Sequence, residues 1–140
     1  MIAIAAANIR EVSTTERADI QRQALAAASA AASKKGEAIV VLDVGPILAI
    51  TDYFVIASGT NDRQVRTIVD EVERQLKDRF DIAPLRVEGA AEGQWVLMDY
   101  GDFWVHVFLD ETRHYYELER LWSDAARVPF RDTASGASTG

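Results

Sequence analysis

The spacing of apolar and polar positions divides the chain into eight segments. Ser13-Thr14-Thr15-Glu16 has the form of a capping box, and Ile20, Ala24, Ala27, Ala28, Ala31 and Ala32 follow at helical spacing. A helix is therefore expected from near Ser13, closed by Lys34, Lys35 and Gly36. Glu37 to Val44 is a short apolar run rich in β-branched residues, which predicts a buried strand. Gly45-Pro46 breaks it, and Asp52 to Ala57 predicts a second strand that ends in a Ser58-Gly59-Thr60-Asn61 turn. Asn61 with Gln64 opens another helix, with Val65, Ile68, Val69, Val72 and Leu76 on one face and Phe80 near its end. Leu85-Arg86-Val87 begins a third strand. Trp95–Tyr100 and Phe103–Leu109 read as two more, joined by a Gly101-Asp102 turn whose leading glycine suits type II′. A last helix is expected from near Asp110, and periodicity is lost after Trp122.

Helix, strand, strand, helix, three strands and helix make an α/β or α+β fold with a mixed sheet flanked by helices, not a regular βαβ array. The expected organisation is a loose arm over residues 1–12, one domain over 13–124, and a disordered tail over 125–140. Over Met1–Arg10 there is no basic start and only a short apolar run, so neither a signal peptide nor a membrane span is expected.

Charge changes this picture at one place. Residues 88–124 hold nine acidic side chains against Arg113 and Arg120, a difference equal to the whole formal charge of −7. They also hold eight of the twelve aromatics. Phosphate is bound mainly through Lys and Arg, so this balance argues against a general nucleic-acid binder, and stacking of bases on the aromatics meets the wrong sign of charge. Trp95, Tyr100, Trp104, Tyr115, Tyr116 and Trp122 suit either a core or the centre of an interface. With no cysteine there is neither a disulfide nor a thiolate metal site, which fits a cytoplasmic protein.

Chemistry-bearing patterns are few. There is no GxGxxG, no GxxxxGK[ST] and no Asp-x-Asp. Ser58-Gly59, after a strand and before a helix, could present backbone N–H groups to a phosphate, though no lysine accompanies it. His106 alternates with Val105 and Val107 and shares a strand face with Trp104 and Phe108, so packing or support of a loop is a better reading than catalysis. No metal, cofactor or catalytic set is expected.

Ile50-Thr51-Asp52-Tyr53-Phe54-Val55-Ile56-Ala57-Ser58-Gly59, then Val87-Glu88-Gly89, Trp95, Asp99-Tyr100-Gly101-Asp102, Val105-His106-Val107 and Tyr116–Trp122 resemble the ribosomal silencing factor, or Iojap-like, family. The likeness runs from about residue 18 to 123. It implies a nucleotidyltransferase-like fold, catalytically degenerate, in agreement with the missing Asp-x-Asp. It implies a partner, the large ribosomal subunit bound through its protein fourteen on the face that meets the small subunit, and hence a block to subunit joining when nutrients run short. The implied contact surface is Glu88, Trp95, Met98, Asp99, Tyr100, Gly101, Asp102, His106 and Tyr116. A homodimer of the free protein is also implied. The competing expectation is an enzyme of nucleotidyltransferase type, using Ser58-Gly59 and a non-standard carboxylate pair.

Overall fold

A computed structural model describes residues 14–115, 117, 120 and 122–131. The expected arm, Tyr116 and the tail from residue 132 onward lie outside the described residues.

Helix α1 (Thr14–Ser33) begins where the capping box predicts. Its end is tighter than expected: Lys35, with φ of 64°, adopts the left-handed conformation, and the Gly36 N–H donates to the Ala31 carbonyl at 2.9 Å. Strand β1 (Glu37–Asp43) and strand β2 (Tyr53–Gly59) pair antiparallel, with the register shifting between Glu37 and Val40. Helix α2 (Asp62–Phe80) is capped by Asn61, whose Oδ1 accepts the Gln64 N–H at 2.8 Å. It closes at Asp81, a left-handed residue whose N–H meets the Leu76 and Lys77 carbonyls. Strands β3 (Arg86–Glu88), β4 (Trp95–Asp99) and β5 (Phe103–Leu109) follow, then helix α3 (Asp110–Tyr115) and strand β6 (Ala126–Val128).

The six strands form one mixed sheet in the order β3-β4-β5-β2-β1-β6. Only β2 and β5 run parallel; the other neighbours are antiparallel. β6 is a correction to the expected tail. Val41, Leu42 and Asp43 of β1 pair with Val128, Arg127 and Ala126, covering an edge that would otherwise leave backbone groups unpaired. Three residues are too few to carry a period-two signal, which is why the sequence reads as unpatterned there.

Both long helices lie on one face of the sheet. Val65, Ile68, Val69, Val72 and Leu76 of α2 meet Val55, Val96, Met98, Val105 and Val107 in a continuous core. α1 is packed against both α2 and the sheet, and its alanines make this possible, since small side chains on several sides allow close approach in two directions. The opposite face has a smaller cluster, Leu42, Val44, Phe54, Ile56 and Phe108, capped by Trp104, Trp122 and Ala125.

Candidate partner-docking face

Register assigns the side chains of the central segment to the two faces. Trp95 pairs with Phe108, Leu97 with His106, and Asp99 with Trp104, so these six share the face away from the long helices. Phe54 and Ile56 of β2 continue it. On this face Trp95 is 40% exposed, whereas His106 is only 4% exposed. The His106 ring has the Phe54 edge at 4.5 Å, Trp122 at 5.6 Å and Phe108 nearly parallel at 6.0 Å. Its Nδ1 accepts a hydrogen bond from the Trp95 indole Nε1 at 3.1 Å, and its Nε2 has no hydrogen-bond partner in the described structure. Burial among rings pushes its pKa down to about 4, so the imidazole is neutral at ordinary pH.

The expected contact residues do not all come together. Met98 faces the long helices and is fully buried, so it belongs to the core. Tyr100 also packs on the helix side, stacked on Phe103 at 4.9 Å, with its hydroxyl buried; burial first, and the Glu73 charge second, raise its pKa. His106 sits beneath the surface. Asp99 is half-buried and committed: one oxygen accepts the Gly101 N–H at 2.8 Å, and the other receives the Arg86 guanidinium at 3.2 Å. The same guanidinium meets Glu88 at 2.6 Å. Gly101 has φ of 88° and Asp102 keeps negative φ, as a type II′ turn requires. The Thr51 hydroxyl ties this turn to the start of β2 through the Gly101 carbonyl at 3.0 Å. Asp102 and Glu88 are exposed.

Strand alternation, applied strictly, separates Trp95, Leu97 and Asp99 from Val96 and Met98 and puts Tyr100 on the latter side. Leu97 was thus available to a sequence reading as a neighbour of Trp95 on this face. Arg86 was not, because its role depends on β3 lying beside β4. Trp95 and Leu97 with Glu88 and Gly89 line an open cleft of about 300 Å³. The Gly89 backbone, with φ of 84°, lies so close to the Trp95 carbonyl that a Cβ would stand 2.1 Å from that oxygen.

The family model for "ribosomal silencing factor during starvation" matches residues 17–139. The chain belongs to the ribosomal silencing factor family. A ribosomal silencing factor of Bacillus subtilis is 44% identical over 99 residues, covering 71% of this chain and 83% of that protein. A crystal structure from Chromobacterium violaceum superposes with a TM-score of 0.71 at 33% identity, covering 79% of this chain and 91% of the other. One from Bacillus halodurans gives 0.69 at 35% identity, covering 79% and 99%.

Within this family fold the phosphate turn of the competing reading does not form. Ser58 and Gly59 are buried residues of β2, and the Ser58 hydroxyl accepts from the Arg113 guanidinium at 2.6 Å. The turn begins one residue later, and two amides at this junction are already engaged. Thr60 N–H meets Gln64 Oε1 at 2.7 Å, and Val65 N–H meets the Asn61 carbonyl at 3.1 Å. The described residues offer no cluster of three or more metal-ligating side chains. Among them, no helix is long and apolar enough to cross a membrane.

Proposed function

We propose that the chain binds the large ribosomal subunit through its protein fourteen, covers the surface that meets the small subunit, and so represses translation when nutrients run short. The action is steric and cytoplasmic, with no catalytic step and little direct contact with nucleic acid. The observation that carries this reading is the partly uncovered sheet face at Trp95. A large aromatic stands 40% exposed there beside the exposed carboxylate of Glu88, the composition of an anchor at an interface centre facing a basic partner. Leu97 and the Asp102 tip extend the surface. Free of the subunit, the chain pairs with a second copy, which sedimentation velocity would detect.

The test is reconstitution. Purified chain is mixed with separated subunits in buffered Mg²⁺ and run on a sucrose gradient. The expected outcome is co-migration with the large subunit, fewer joined ribosomes, and capture of isolated protein fourteen by the immobilised chain. Full subunit joining in excess chain would refute the block. Binding to the large subunit without capture of protein fourteen would move the contact to another component.

A further inference from the structure

The Trp95 indole does not point its polar end outward. From β4 it leans along the diagonal of the β4–β5 pair and donates its only N–H to His106, which lies two residues before its direct partner Phe108. An imidazole that accepts at Nδ1 while neutral must carry its hydrogen on Nε2. That ring cannot turn away, because Phe54, Phe108 and Trp122 hold it on three sides. The exposed part of Trp95 is therefore carbon: the ring face and its outer edge. Filling space does not by itself call for a histidine at this position, since an apolar side chain would avoid burying a polar ring.

We infer that His106 is a positioning residue for docking, holding the Trp95 indole by its N–H so that the partner meets a fixed carbon face and no hydrogen-bond donor. This rests on the docking reading above. The partner group seated in the Glu88–Gly89–Trp95–Leu97 cleft is then one with no acceptor to satisfy. An apolar side chain fits, and so does the methylene stem of a lysine or arginine crossing the ring. A partner carbonyl or carboxylate at the ring would be left unpaired and is selected against.

The experiment measures two things on the full chain: exchange of the Trp95 indole N–H by NMR, and affinity for large subunits by co-sedimentation. In the natural protein that N–H is expected to exchange slowly; exchange at the rate of a free indole would overturn the inference without any variant. His106→Phe should speed the exchange and weaken subunit binding by about tenfold, the loss of one ordinary hydrogen bond. His106→Asn, whose Oδ1 stands where Nδ1 was, should restore most of both. In a Trp95→Phe background, which has no N–H to hold, His106→Phe should have no further effect on affinity. Equal weakening in both backgrounds, or slow exchange persisting in His106→Phe, would refute positioning. If His106→Phe fails to fold, His106→Asn and the exchange rate of the natural protein decide. If the natural protein binds no subunit at all, the docking reading fails; slow exchange would then show that His106 holds the indole without serving docking.

Discussion

Acid should destabilise this protein through one buried ring. His106 is 4% exposed and neutral, with its pKa pushed from 6.5 to about 4 by burial. The unfolded chain takes up a proton on this residue as pH falls through 6.5, while the folded chain does so only near pH 4. Between those values the unfolded state binds more protons, so stability falls with pH at about 1.4 kcal/mol per unit. Across the whole window the loss is about 3 kcal/mol, a large share of the roughly 5–15 kcal/mol that holds a domain of this kind. Other groups also titrate there, so the assay is a difference. Urea unfolding is followed for the natural protein and for His106→Asn from pH 7 to pH 4. The carboxylates contribute to both curves and cancel, leaving a gap that narrows in the variant's favour on acidification. Parallel curves would refute the argument, because they would mean that the ring protonates in the folded protein as readily as in the unfolded chain.

Trp95→Ala should cost the folded fraction about 2 kcal/mol or more in subunit binding. Because it leaves the buried His106 Nδ1 without its donor, thermal melts should show a further loss of about 1–3 kcal/mol of stability. Tyr100→Ala, which removes a ring stacked on Phe103 beneath α2, should instead cost about 2 kcal/mol of stability and spare the affinity of the folded fraction. Gly89→Ala forces a left-handed alanine against the Trp95 carbonyl, and thermal melts should show a loss of about 1–3 kcal/mol. Asp102→Asn, at the exposed turn, should slow association with the large subunit at low salt and have a smaller effect as ionic strength rises.

The elements that could be read from the sequence are those with strong local chemistry. The α2 cap at Asn61 and the Gly101-Asp102 turn are examples, because each depends on a side chain or a φ value fixed within four residues. The period-two pattern of β5 placed His106 with Trp104 and Phe108, as observed. What could not be read depends on contacts distant in sequence. β6 exists because the outer edge of β1 accepts it. Ser58 looked like the start of a phosphate turn because nothing nearby announces Arg113, fifty-five residues away, as its partner. Met98 and Tyr100 were grouped with Trp95 by motif proximity, against an alternation that was visible all along; a strand separates neighbours onto opposite faces even when a motif keeps them together.

The charge of the central segment needs the same correction. Nine acids against two bases between residues 88 and 124 suggest a strongly negative hairpin. Yet Arg86, two residues outside that segment, sits between Glu88 and Asp99 and offsets part of it. The side chains of Arg86 and Glu88 are more than half exposed, and such pairs contribute only about 0–1 kcal/mol, so this pair within β3 leaves Glu88 able to exchange one cation for another. The ion pair that joins β3 to β4 is the one from Arg86 to the half-buried Asp99. Electrostatics here can thus orient a basic partner and speed its approach, but cannot supply most of the affinity. A part-exposed indole with a fixed orientation can, because apolar area is removed from water without first having to order the side chain. On the docking reading proposed above, the acids select the partner, Trp95 retains it, and His106 keeps the indole in place, while Gly89 leaves room for the Trp95 backbone.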